Sequence, residues 1–166
     1  MRSQARTSAI NILSGSLLMV LMGMFPVLAA HFSTDDAHHI IADPRTGLAI
    51  FGYDPVAYHS DHAAFAGLKD FELTRDGLIW RFRSSANMAA FEADPLPYIP
   101  TFGGYDGASV SDGVLAKGDP ETFVIAGGKV VFFRTAINRD RFAVESDMRQ
   151  RARQLWPQVV RQQAAH

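Results

Sequence analysis

Two glycine-containing turns constrain this chain more than any other feature. Asp76-Gly77 separates FELTR from LIWRF, and Gly127-Gly128 separates TFVIA from KVVFF. Both turns lie between runs rich in β-branched and aromatic residues, and two-residue glycine turns in that setting indicate β-hairpins. The sequence therefore predicts two antiparallel hairpins.

A helix is predicted after each hairpin. Ser84 or Ser85 is expected to cap a short helix in SSANMAAFEADP, which Pro95 ends. A second helix is expected from Asn138 onward, and Pro157 should kink or end it near Leu155 or Trp156. Its predicted buried stripe is Val144, Met148, Ala152, Leu155 and Val159. The predicted fold class is α+β, a small domain of two β-hairpins packed with two main helices.

Composition excludes several classes of protein. The chain has no cysteine, which excludes disulfides, thiolate metal sites and a cysteine nucleophile. Its 16 basic and 17 acidic residues are nearly balanced, so no surface for nucleic acid or anionic lipid is expected. We find no internal repeat or low-complexity segment by inspection, and the two hairpins share no obvious sequence.

The N-terminal residues are typical of an export signal. Residues 1–30 combine early arginines, an apolar run and small residues, which predicts a signal peptide cleaved near Ala29 or Ala30. The alternative is an uncleaved anchor from about Ile10, the only expected contact with a membrane. We expect a periplasmic or secreted protein with a flexible polar lead-in over 31–47, a folded domain over 48–157 and a tail over 158–166.

Histidines offer two candidate metal sites. His31, His38 and His39 lie near Asp35 and Asp36, where they either hold Cu(II), Ni(II) or Zn(II) loosely or form a solvated segment. His59 and His62 follow the motif GYDPVAY, where a histidine is either a metal ligand or a surface residue. Gly127-Gly128-Lys129 is interpreted as a turn rather than a phosphate-binding loop, with Lys129 and Arg134 as solvated strand residues.

Three segments together resemble a known family. GYDPVAY (52–58), WRFRSSANMAAFEADPLPYIPTFGGYDGASVSDG (80–113) and DPETFVIAGGKVVFF (119–133) are similar to the exported single-domain branch of the YHS-domain family. The resemblance extends from about Leu48 to Trp156 and implies a YHS-like domain. That branch commonly carries cysteine or selenocysteine after GGY, where this chain has Asp106.

The resemblance implies a site around that position. A carboxylate cannot replace a thiol or selenol as a redox centre or soft-metal ligand, so that chemistry is not expected here. The residues around position 106 otherwise match the family pattern. The ligand pocket that the resemblance implies contains Asp54, Tyr58, Gly103, Gly104, Tyr105 and Asp106. Gly103-Gly104 indicates positive φ or a close backbone approach. The alternative to a pocket is that the two glycines form a tight crossing beneath the GYDPVAY strand and Asp106 caps or turns the chain.

The functional expectation is an exported, non-catalytic module for a small ligand or metal ion. His59 and Asp106 are the candidate ligands for a hard or borderline divalent ion. One alternative is a protein-interaction module with a vestigial site. Another is an acid/base enzyme that uses Asp106 and His59.

Overall fold

The two predicted hairpins are present in the computed structural model, which describes residues 39–163. Strands β1 (Leu68–Arg75) and β2 (Leu78–Phe82) form one two-stranded antiparallel sheet, and β3 (Asp119–Ala126) and β4 (Lys129–Phe133) form another. The turn residues adopt positive φ, from 51° at Asp76 to 77° at Gly77. Glycine adopts such angles without steric cost, which explains its place in both turns.

Five α-helices accompany the hairpins within residues 39–163. They are α1 (Ala57–Ser60), α2 (Ser85–Ala93), α3 (Gly107–Ser111), α4 (Ala136–Val144) and α5 (Ser146–Gln163). Short 3₁₀ turns span Ile50–Gly52 and Thr101–Gly104. The α+β prediction is confirmed, and the helix after the first hairpin has its predicted cap, Ser84. No helix within this part of the chain is long and apolar enough to cross a bilayer.

The C-terminal helix prediction was wrong in its boundaries. The chain forms two helices that meet at Glu145, and Val144 is 79% exposed rather than buried. Helix α5 continues through Pro157, because Val159 and Val160 beyond it pack into the core. Their burial offsets the hydrogen bond that a proline removes.

An internal repeat emerges from the fold, contrary to the sequence-based expectation. The first repeat (residues 50–93) and the second repeat (residues 102–144) each contain a 3₁₀ turn, a short helix, a hairpin and a capped helix in the same order. Both hairpins have a register irregularity at the equivalent place, between Leu68 and Glu72 and between Asp119 and Phe123. The pairs identical in the two repeats include Gly52/Gly104, Tyr53/Tyr105, Asp54/Asp106, Gly67/Gly118, Phe82/Phe133, Arg83/Arg134, Asn87/Asn138 and Phe91/Phe142.

The two repeats share strand β4. Val130 and Phe132 belong to the core of the first repeat, whereas Val131 and Phe133 belong to that of the second. Tyr58 of the first repeat packs edge-on against Phe123, with ring centroids 4.8 Å apart. Both faces of β4 are therefore buried, which accounts for its uninterrupted apolar sequence.

The segment before the first repeat is part of the fold. The Ile41 amide donates to the carbonyl of Gly103 (2.8 Å), and the Ile41 carbonyl accepts from the amide of Ile50 (2.8 Å). Ile40 and Ile41 are buried in the core. Residues 40–41 and 159–160, which lie outside the predicted domain limits of 48 and 157, are buried as well. The predicted signal peptide, most of the lead-in, and His31 and His38 with their neighbouring aspartates lie outside the described residues.

Ile41 provides a test of this packing. Its side chain is 1% exposed, so Ile41→Ala should lower the free energy of unfolding by about 2–5 kcal/mol through lost burial and a residual cavity. Urea denaturation measures the change. Ile137→Ala, at a site 72% exposed, is the control and should change it by less than about 0.5 kcal/mol. Equal effects of the two substitutions would show that the segment does not pack.

Candidate functional site

Asp106 lies fully buried at the N-terminus of α3, and the backbone surrounds its carboxylate. Oδ1 accepts from the amides of Ala108 (2.9 Å) and Ser109 (3.4 Å). Oδ2 accepts from the Arg134 amide (3.2 Å) and from Nδ2 of Asn138 (2.6 Å). Four N–H donors from two distant parts of the chain therefore meet on one side chain.

Asp54 occupies the equivalent position in the first repeat and makes the equivalent hydrogen bonds. Oδ1 accepts from the amides of Val56 (2.8 Å) and Ala57 (3.3 Å). Oδ2 accepts from the Arg83 amide (2.7 Å) and from Nδ2 of Asn87 (2.7 Å). Such donors satisfy a carboxylate that has been removed from water. The two aspartates thus have the same structural role.

Each aspartate also anchors a capped helix. The Asn87 amide donates to Oγ of Ser84 (3.1 Å), and the Asn138 amide donates to Oγ1 of Thr135 (3.2 Å). The backbone of each asparagine is thereby held by the helix cap while its side chain reaches the aspartate. This geometry favours the capping interpretation of Asp106 over the pocket interpretation.

The space next to Gly103 and Gly104 is occupied by an earlier segment of the chain. Gly103 and Gly104 have φ of 59° and 88°, the positive values expected for this frame. A Cβ at Gly103 would lie 2.0 Å from the carbonyl oxygen of His39, and one at Gly104 would lie 2.8 Å from Cγ1 of Ile41. The close backbone approach predicted for these glycines is confirmed, and its partner is the segment 39–41.

The predicted aromatic and histidine site residues are used in packing. The Tyr58 hydroxyl donates to the carbonyl of Pro120 (3.0 Å), and burial raises the pKa of this buried phenol. His59 lies edge-on to Tyr98 at 5.5 Å, and its Nε2 is shielded from solvent without a hydrogen-bond partner. Burial, with smaller contributions from the nearby His62 and Lys129, lowers the pKa of His59.

The other tyrosines flank the two aspartates. The Tyr53 hydroxyl donates to Oε1 of Glu121 (2.7 Å), and this hydrogen bond, with burial, raises the pKa of Tyr53 to about 12. Tyr105 lies 6.1 Å from Trp156 between ring centroids. The ring of Tyr105 therefore faces α5.

The predicted metal ligands do not gather into a site. Within residues 39–163 no group of three histidine, aspartate or glutamate side chains is placed to hold a metal ion. The Asp106 carboxylate already accepts four hydrogen bonds, and none of them comes from His59. His59 packs against Tyr98 instead, so none of the observed contacts joins the two candidate ligands.

A cleft between α5 and the second hairpin was missed by the sequence analysis. It has two adjoining lobes of about 160 and 180 Å³, which share Thr101, Phe102, Lys129 and Arg153. Trp156 lines the first lobe and Arg149 the second. The interpretation of Lys129 as a solvated residue was wrong, because its ammonium nitrogen is shielded from solvent.

The internal repeat explains why the second lobe is open. Val131, which lines it, is equivalent to Trp80 of the first repeat. Trp80 is buried against Phe91, with ring centroids 4.8 Å apart. In the second repeat the equivalent of Phe91 is Phe142, which lines the lobe together with Val131. A large ring in one copy is thus replaced by a cavity in the other.

Charge in the cleft is of one sign. Lys129, Arg149 and Arg153 are its charged lining residues, and no acidic side chain lines either lobe. Arg149 donates to the carbonyls of Phe142 (2.7 Å) and Ala143 (2.8 Å), which holds its guanidinium at the end of α4. The helical spacing of Arg149, Arg153 and Trp156 was the sequence pattern that could have indicated this site.

Comparisons with protein-family profiles, curated protein sequences and solved structures found no match to this chain. The site is therefore interpreted from its own geometry.

Asp106→Asn tests whether the carboxylate is structural. An amide offers one acceptor oxygen, and its NH₂ would face N–H donors, so we expect a loss of about 1–3 kcal/mol in the free energy of unfolding. Asp54→Asn should cost a similar amount, because its partners are equivalent. Chemical denaturation measures both, with the exposed Asp112→Asn as control. An Asp106→Asn variant as stable as the wild type would contradict the structural role.

His59 predicts a pH dependence of stability. Because burial lowers its pKa in the folded state, the unfolded state binds more protons between that pKa and about 6.5. The stabilising contribution is complete above about pH 6.5 and is lost as the pH falls toward the folded-state pKa. His59→Phe should therefore lose less stability than the wild type between pH 7.5 and 5.5, measured by urea denaturation at each pH. The exposed His62→Asn should keep nearly the wild-type slope, and an unchanged slope in His59→Phe would refute the assignment.

Proposed function

We propose that this protein is an exported, YHS-like, non-catalytic module that binds a small ligand in the cleft between α5 and the second hairpin. The observation that carries the proposal is the contrast between equivalent positions, Trp80 and Val131. The indole ring of Trp80 is buried in the first repeat, whereas Val131 in the second repeat lines an open lobe beside basic side chains. The family resemblance supports the YHS-like part of the proposal, and the predicted signal peptide supports export.

The composition of the cleft fits a ligand site. Pockets for small molecules are mostly apolar and carry a few placed polar groups. Here Phe102 and Trp156 are in edge contact at 5.7 Å between centroids, and Ile99 and Pro100 complete the apolar wall of the first lobe. Lys129 and Arg153 supply charge to both lobes.

Binding in the cleft is favoured over the two chemistries considered for Asp106. The carboxylate of Asp106 is fully buried, and four internal donors satisfy it. Metal binding or proton transfer at that atom would require breaking these bonds. The cleft, by contrast, is lined by side chains of α5 and β4 that leave space for a ligand.

The cleft can be tested by filling it. We expect saturation-transfer NMR with indole, benzyl alcohol, benzoate and cyclohexanecarboxylate to detect binding to the wild-type protein. Val131→Trp, which restores the residue of the first repeat, should reduce the transfer by occupying the second lobe. Val144→Trp adds the same side chain at an exposed site of α4 and should bind as the wild type does.

Folding of the filled variant is checked by denaturation, because added core volume can cost about 1–3 kcal/mol. Val131→Phe is the smaller replacement if Val131→Trp does not fold. Absence of transfer from all four probes to the wild type would refute the proposed function. Equal transfer to the wild type and to a folded Val131 variant would exclude the second lobe as the binding site.

A further inference from the structure

The two lobes of the cleft differ in chemistry, although they adjoin. Phe102, Lys129 and Arg153 line both lobes, whereas Trp156 lines only the first and Arg149 only the second. A ligand that spans both lobes would therefore lie against the Trp156 ring at one end and reach Arg149 at the other.

We infer that the ligand is a small organic anion whose flat apolar ring lies against Trp156 and whose acidic group lies among Lys129, Arg149 and Arg153. This inference rests on the proposed function and adds the chemical class of the ligand. Carboxylates and phosphates share the required chemistry, because guanidinium groups form paired hydrogen bonds with either.

The size of each lobe supports a single ring. A cavity of about 150 Å³ in a protein interior accommodates benzene. The lobes, at about 160 and 180 Å³, are each of that size. One lobe can hold the ring while the other holds the acidic group and water.

The charges support an anion. The whole chain is nearly neutral, with 16 basic and 17 acidic residues, yet the charged residues that line the cleft are all basic. Lys129 and Arg149 are partly enclosed, whereas Arg153 is exposed. Partly enclosed charges act through a lower effective dielectric constant than exposed ones, so Lys129 and Arg149 attract an anion more strongly than they would at an open surface. Arg153 takes part in none of the ion pairs formed among residues 39–163. Its guanidinium is therefore not neutralised by an acidic side chain of that part of the chain.

Isothermal titration calorimetry with matched probes tests the class. We expect benzoate or phenyl phosphate to bind at least about tenfold more tightly than benzyl alcohol, which has the ring without the charge. Benzylamine, of opposite charge, should bind most weakly. Inorganic phosphate, which lacks the ring, should bind at least about tenfold more weakly than phenyl phosphate. The benzoate and phenyl phosphate arms distinguish a carboxylate from a phosphate ligand.

Arg153→Gln isolates the role of charge. The variant should reduce the preference for the anion over benzyl alcohol to within about threefold, while its affinity for benzyl alcohol stays unchanged. Arg161→Gln is the matched control, because it removes an exposed arginine of the same helix that lines neither lobe. The control should keep the wild-type preference.

Three results would overturn the inference. Benzyl alcohol binding as tightly as benzoate and phenyl phosphate would refute the anionic class and leave the proposed function standing. Inorganic phosphate binding as tightly as phenyl phosphate would refute the requirement for a ring. An undiminished anion preference in Arg153→Gln would show that the basic residues of the cleft do not select the ligand. Failure of every probe to bind would instead reject the proposed function itself.

Discussion

A buried carboxylate that must find hydrogen-bond donors is the constraint on which this fold depends. Asp54 and Asp106 each accept from two amides at the start of a short helix and from two donors beyond a hairpin. A carboxylate removed from water without such partners would cost several kcal/mol. Each hairpin must therefore fold back so that the residue after it, Arg83 or Arg134, reaches the aspartate. The capped helices follow from the same contacts.

The two repeats share this frame but are buried differently. Tyr58 of the first repeat packs on the second hairpin, whereas its equivalent in the second repeat, Val110, packs in the cluster that contains Met148 and Trp156 of α5. Helix α5 thus covers the face of the second repeat for which residues 39–163 provide no third hairpin. Arg149, Arg153 and Trp156 of α5 line the cleft that remains between this helix and the second repeat, so the cleft carries positive charge.

The resemblance to YHS-domain proteins points to Asp106 as a site residue, yet its hydrogen bonds show that Asp106 has a structural role. Asp106 does in the second repeat what Asp54 does in the first, so an acidic residue there stabilises the frame. The proposed ligand site therefore lies at residues that differ between the repeats. Val131 is equivalent to Trp80 and Lys129 is equivalent to Leu78, and Val131 and Lys129 line the cleft.

The sequence by itself determined the local structure, and tertiary contacts decided the site. Asp76-Gly77 and Gly127-Gly128 fixed the hairpins, and Ser84 fixed the start of a helix, because turns and caps depend on neighbouring residues. The positive φ of Gly103 and Gly104 could likewise be predicted from the sequence. The partner of those glycines, the segment 39–41, was not, since it comes from far along the chain. The repeat was also missed by the sequence analysis, because its identities fall on scattered residues while most of the residues between them differ. The cleft joins residues near 100, 130 and 150, and only packing of α5 on the second hairpin brings them together.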